Sequence, residues 1–289
     1  MDQHRRTPTS ASIAWFGWTD RGKVRRNNED AFVGLQFDAR EVHFLGKHGE
    51  SSLHHADLAF AVSDGMGGAH AGEFASRIAI DKITSLLPRS FKQSAIGLEA
   101  GFEDVLTELF DQIHHAITQL GFSYPECHGM GTTLSLCWFT PGWMFFGHIG
   151  DSRIYYLPAR DHSLRQLTHD DTHVGWLLRQ GKINDREARS HPRRHILQKA
   201  LGGGHQFVDP QVGAVAYEPG DTFLLCTDGL MDGLHDHHLI DLLRSTPTPA
   251  TTSNPAQSNP AHLLVNESLA QSGRDNTTAL VIQIGAQQV

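Results

Sequence analysis

Leu58-Ala59-Phe60-Ala61-Val62-Ser63-Asp64-Gly65-Met66-Gly67-Gly68 sets the reading of everything around it. An apolar run ends in Ser63, a carboxylate follows at once, and three glycines fill the next four positions. The run is short and holds Val and Phe, so it reads as a buried strand. Asp64 falls at the strand's end, where its side chain can point into a cleft. Gly65, Gly67 and Gly68 let the backbone close on whatever Asp64 holds. Residues 71–87 read as a helix, which makes the unit strand, glycine turn, helix. A tight turn carrying a solvated Asp is the plainer alternative.

Upstream, 13–18 reads as a first strand. A polar turn through Arg25 and Asp30 leads to a second strand at 31–37, and 40–55 is an insertion or short hairpin. Downstream, Leu98, Phe102, Val105, Leu106, Leu109, Ile113 and Ile117 recur at helical spacing, giving a long amphipathic helix at 97–120. Strands are expected at 132–139, 143–149 and 153–157. Residues 160–205 are mostly polar, with short helices at 173–180 and 195–201. Then come strands at 212–216 and 222–226, a helix at 237–244, a Thr/Pro/Ser/Asn-rich mobile loop at 245–260, a helix at 261–272 and a last strand at 277–284. Strands come in runs and helices in pairs, which implies a mixed fold with antiparallel sheets and not regular βαβ winding.

The chain has 289 residues, 39% of them hydrophobic, enough for one large domain. A net charge of -8 without a basic run argues against a nucleic-acid partner or an anionic membrane surface. The 20 histidines are scattered and read mostly as surface residues. Three cysteines without CxxC spacing fit a reducing compartment, with Cys137 and Cys226 in the core. The first eleven residues are polar and loose, and show no signal peptide. With no apolar run long enough for a membrane span, a cytoplasmic location is expected.

Five acids stand at strand edges or glycine turns: Asp30 beside Glu29, Asp64, Asp151 in Gly-Asp-Ser-Arg, Asp228 before Gly229, and Asp275 in Gly-Arg-Asp-Asn-Thr. Clustered carboxylates repel unless a cation sits among them. All-oxygen ligands suit Mg²⁺ or Mn²⁺, and a pair of such ions can activate water for attack on phosphorus. Any one of these acids could instead be a turn-former or helix cap.

The order Arg25-Arg26-Asn27-Asn28-Glu29-Asp30, Asp64-Gly65-Met66-Gly67-Gly68, Gly150-Asp151-Ser152-Arg153, Thr227-Asp228-Gly229 and Gly273-Arg274-Asp275-Asn276-Thr277 resembles the metal-dependent type 2C serine/threonine protein phosphatases in their compact bacterial form. The resemblance implies an α+β fold, a four-layer sandwich of two antiparallel sheets flanked on both sides by helices. It implies one catalytic domain over 12–285, with 160–205 as a flap. It makes Asp64 the bridge between two metals, completed by the Gly65 carbonyl, with Asp228 and Asp275 on the other ion. Asp30 and Glu29 would hold water ligands, and Asp151 with Asp228 a third, weaker ion. Arg25 would grip the substrate phosphate, and Asn276 would support the cluster.

The implied activity is hydrolysis of phosphoserine and phosphothreonine by a metal-activated water, in a monomer opposing a serine/threonine kinase. A small-molecule phosphohydrolase and a non-catalytic phosphoprotein-binding module of the same fold are the alternatives. Many eukaryotic relatives have His where this chain has Met66; here His70 nearby, more readily a surface residue, or a water would protonate the leaving group.

Overall fold

In the computed structural model the described residues are 12–38, 40–54, 56–67, 71–95, 101–161, 163–205, 208–245 and 259–285, with the side chains of 88–95 set aside. The expected loose segment 1–11, His70 and positions 246–258 of the expected mobile loop lie outside them.

Two sheets form, and every strand pairing among the described residues is antiparallel. The first runs β10 (Arg165–Gln166), β9 (Arg153–Leu157), β13 (Thr222–Cys226), β14 (Thr277–Gly285), β1 (Ser12–Asp20), β4 (His48–Ser52). The second runs β11 (Leu201–Gly202), β6 (Gly131–Thr132), β5 (Asp57–Met66), β7 (Leu134–Thr140), β8 (Trp143–Ile149), β12 (Gln211–Ala216). There β2 (Asp30–Phe37) also pairs with β5, and β3 (Val42–Phe44) with β2.

Period-two alternation explains the stacking. Along β5, Leu58, Phe60 and Val62 face the space between the sheets, while Ala59 and Ala61 face outward into a second core. In β14, Leu280, Ile282 and Ile284 face inward, and Ala279 and Val281 face the opposite side. Both faces are buried, which is why these strands read as unbroken apolar runs. On the outer face of the second sheet lie α1 (Ala71–Ala95) and α2 (Phe102–Ser123). Ala71, Ala75 and Ala79 recur every fourth residue and let α1 lie close to the sheet. The first sheet's outer face carries α5 (Asp228–Gly233), α6 (Asp236–Ser245) and α7 (Pro260–Gln271). The four-layer α+β sandwich therefore stands as expected.

Some local expectations are corrected. The 40–55 segment is no hairpin: β3 joins one sheet and β4 the other, so it ties the layers together. The strand expected at 132–139 breaks at Thr133, whose amide donates to the Asp64 carbonyl (2.9 Å) while its hydroxyl accepts from the Asp64 amide (3.0 Å). The helix expected at 195–201 does not form. There the Gln198 amide donates to the Asp171 carbonyl (2.7 Å), and Thr172 bridges to Leu197. A helix appears instead at Asp185–Ser190 (α4), fixed by the Asn184/Glu187 capping box. The α3 helix, His173–Arg179, sits where expected. His114 is buried, not a surface residue, and its Nδ1 accepts from the Gly202 amide (3.0 Å).

Candidate active site

Strand register brings the first two acids together: Asp30 on β2 lies directly opposite Asp64 on β5. At the same end of the sandwich, β13 delivers Asp228 and the approach to β14 delivers Asp275. Asp30 is almost fully buried. Its Oδ2 accepts from the hydroxyls of Thr227 (2.8 Å) and Thr278 (2.6 Å). Its Oδ1 is buried without a partner, and so is Asp228 Oδ1. The other oxygen of Asp228 lies 3.0 Å from His195 Nδ1.

The turn between β1 and β2 folds over the turn that precedes β14. Asn276 is the joint: its Oδ1 accepts from the Glu29 amide (2.8 Å), and its Nδ2 donates to the carbonyls of Arg21 (2.8 Å) and Asn27 (3.0 Å). Arg25 Nη2 reaches Asp275 Oδ2 at 2.5 Å, with the Arg25 side chain half exposed. Gly65 donates its amide to the Glu29 carbonyl (3.2 Å), and a Cβ there would collide with the Gly72 carbonyl. Only glycine permits that approach.

Asp151 sits in the turn between β8 and β9, which Gly150 makes with φ of 111°. The turn is clamped from the 160–205 excursion. Gly150 donates to Asp171 Oδ2 (3.1 Å), and the Asp171 amide donates back to the Gly150 carbonyl (2.7 Å). Asp170 takes both Nε (2.8 Å) and Nη2 (2.7 Å) of Arg153. The Thr133 hydroxyl links the Asp64 amide to the Ser152 hydroxyl (2.7 Å), so the Asp64 and Asp151 positions share one support.

Electrostatics bear the crowding out. Burial, then Asp30, Asp228, Asp151 and Asp275 in turn, push the Asp64 carboxyl well above the carboxylate range. Burial and then Asp228 do the same to Asp151. Burial lifts Asp30 to about 7, against the pull of the two threonine hydroxyls. Among the described residues, the sequence-predicted metal, phosphate-binding and supporting residues thus arrive at one end of the sandwich, while His70 lies outside the described residues. Among the described residues no three acidic, His or Cys side chains form a complete ligand set around one point. Asp275 is turned to Arg25 and Asp228 to His195, so carbonyls and waters would complete any coordination shell. The residues nonetheless fit hard divalent cations. The side-chain donors are carboxylate oxygens, two of them buried with no partner, and nearby positive charge is what such carboxylates lack.

Sequence reasoning missed Thr227, Thr278, Asp171 and His195. The threonines adjoin the acid motifs in the chain, but nothing local in the sequence ties them to Asp30. His195 was hidden by the helix expected at 195–201.

A family model described as protein phosphatase 2C matches residues 47–271. The serine/threonine protein phosphatase PstP of Mycobacterium tuberculosis is 34% identical over 270 residues, 92% of this chain and 44% of PstP, so the chain spans under half of that relative. The serine/threonine phosphatase stp of Listeria monocytogenes is 33% identical over 267 residues, 92% of this chain and 93% of stp. The solved catalytic domain of PstP in complex with 2 manganese ions superposes with a TM-score of 0.71 at 30% identity, covering 95% of this chain and 99% of that one. With the same motifs in the same order on the same sandwich, the chain belongs to the protein phosphatase 2C family.

Proposed function

We propose that the protein is a Mn²⁺- or Mg²⁺-dependent serine/threonine protein phosphatase, with residues 12–285 as one catalytic domain and 160–205 as its flap. The observation that carries this is the convergence of five buried or half-buried aspartates, two with orphaned oxygens, beside a half-exposed arginine. The reaction splits the phosphorus–oxygen bond of phosphoserine or phosphothreonine: water supplies the hydroxyl that ends on phosphorus, and a proton ends on the seryl or threonyl oxygen. Bound Mn²⁺ or Mg²⁺ supplies the positive charge that acidifies a water and offsets phosphoryl charge. Asp64, the Gly65 carbonyl, Asp228 and Asp275 would hold two ions, with Glu29 and Asp30 fixing their waters. Asp151 and Asp228 would share a third, weaker one.

Arg25 binds the phosphoryl oxygens through its planar fork, exchanging Asp275 for substrate. Asn276 keeps the two turns together, and the Thr227 and Thr278 hydroxyls hold Asp30 in one rotamer. Met66 stands where many eukaryotic relatives carry histidine, so solvent protonates the leaving oxygen. Among the described residues no helix is long and apolar enough to cross a membrane. A cytoplasmic monomer opposing a serine/threonine kinase completes the reading.

The purified protein should hydrolyse a phosphothreonine peptide with Mn²⁺ and lose that activity in EDTA. Asn at Asp64, Asp228 or Asp275 should each lower kcat by roughly 10²-fold, the scale of one lost preorganised electrostatic element. Full turnover in EDTA, or nucleotides hydrolysed faster than phosphopeptides, would sink the proposal.

A further inference from the structure

The phosphatase reading gives a role to Arg25 and leaves its basic neighbours without one. Two turns meet beside the acid cluster. The 21–26 turn carries Arg21, Lys23, Arg25 and Arg26, and the 273–276 turn carries Arg274. They are tied by the Lys23 amide to the Gly273 carbonyl (2.7 Å), by Asn276 Nδ2 to the Arg21 carbonyl (2.8 Å) and by Arg25 to Asp275 (2.5 Å). Five cations therefore share one rim in a chain whose net charge is -8. All five are solvent-exposed. The one acid within the two turns, Asp275, is taken by Arg25. Lys23 is used by the Leu269 carbonyl, and Arg21 Nη1 donates to the Arg26 carbonyl (3.3 Å). Among the described residues Arg26 and Arg274 form no ion pair. Beside Arg274 opens a hollow of about 350 Å³, lined by Arg194, Asp232, Gln271, Ser272 and Arg274. Arg194 comes from the 160–205 excursion and spans 3.5 Å to Asp232, a loose pair that an anion of better geometry can draw away.

We propose that this rim is a second anion subsite, which selects phosphoprotein segments carrying a carboxylate or a second phosphate close to the phosphoresidue being hydrolysed. The argument is charge and place. An exposed guanidinium presents a fork that matches carboxylate and phosphate oxygens in pairs. Arg274 adjoins Asp275 in the chain, so the hollow opens next to the residue that Arg25 now holds. An extended peptide advances about 3.3 Å per residue, so a side chain a few positions from a phosphate seated on Arg25 can reach the neighbouring turn that carries Arg274. A diffuse attraction for any polyanion would depend on total charge alone. A built subsite depends on where in the peptide the charge lies.

The inference rests on the phosphatase reading, and one set of assays separates the two. The full chain with Mn²⁺ is given four phosphothreonine peptides. One has neutral flanks, one has two Glu within three residues, one has a second phosphothreonine there, and one has the same two Glu at its far end. The expected result is kcat/KM about tenfold higher for near Glu than for neutral flanks, and higher again for the second phosphate, the scale of charge-assisted contacts at an exposed site. The far-Glu peptide should match the neutral one. In the Arg26→Gln/Arg274→Gln variant the preference should fall to about twofold or less, while circular dichroism and turnover of the neutral peptide hold. Equal turnover of all four peptides by the wild type, a far-Glu peptide as good as the near one, or a variant that keeps the preference would each overturn the subsite and leave the phosphatase reading standing. No turnover of any peptide would overturn that reading and the subsite with it.

Discussion

Arg25 and Arg26 are adjacent and both exposed, yet only Arg25 reaches Asp275. Arg25→Ala should raise KM and lower kcat together, by about tenfold or more in kcat/KM, and Arg25→Lys should restore part, since a point charge cannot reproduce the fork. A larger loss from Arg26→Ala would mark the wrong arginine. For Asp151, kcat in Asp151→Ala should drop while Tm stays near wild type, because the turn is held by Gly150, Ser152 and Asp171 and not by this carboxylate. Calorimetric Mn²⁺ titration should lose its weak class of sites and keep the tight class; unchanged kcat at saturating Mn²⁺ would remove the third ion. Far from the site, burial pushes the Asp57 carboxyl up to about 6, opposed by the Trp138 Nε1 hydrogen bond (2.9 Å). A raised carboxyl favours the fold at low pH, and that contribution is lost as pH climbs through about 6. Relative to wild type, Asp57→Asn should therefore gain roughly 2 kcal/mol in stability between pH 4 and pH 7. A flat difference in denaturant titrations would show that Asp57 ionises normally. The acids were legible as residues because each sits beside glycine or at a strand edge. The threonine hydroxyls that orient Asp30 were not, because Thr227, at the start of α5, is 197 residues away in the chain and Thr278, in β14, is 248 residues away.

The 160–205 excursion is held differently from the rest. No residue of α4 is buried. Across to α5 and α6 run Arg189–Asp236 (3.5 Å), Arg194–Asp232 (3.5 Å) and His195–Asp228 (3.0 Å). Such half-exposed pairs are weak and screened by salt. Amide hydrogen exchange in α4 should accelerate several-fold between low salt and 0.5 M NaCl, roughly the loss of two or three such pairs, while β5 and β14 keep their protection. Uniform protection at both salt levels would mean that packing, not charge, holds the element. The same character explains why 195–201 misled. Its apolar spacing resembled a helix, but its backbone groups pair with 171–173 instead. Where the core dictates structure, as in β5 or β13, sequence pattern and observed strand agree closely. Where side chains only touch charges, the pattern holds little information.

At the scale of the molecule, three apolar layers alternate with two sheets. Phe60 sits in the middle one, fully buried, with ring centroids 5.7 Å from Trp15 and 5.9 Å from Phe139. Phe60→Ala should cost about 3–5 kcal/mol by denaturant titration; a loss under 1 kcal/mol would mean that the layers collapse to refill the space. The buried strands were visible in the sequence as apolar runs, but their partnering was not, because nothing local says that β1 pairs with β14. That pairing has a consequence for how the protein is made. β14 is an interior strand, flanked by β13 and β1. Until residue 285 has left the ribosome, β1 and β13 have no neighbour between them, and Asp275 and Asn276 have no fixed place. The first sheet cannot close before β14 is made, so the nascent chain carries two open strand edges until then. Its dependence on chaperones should be greatest just before β14 emerges.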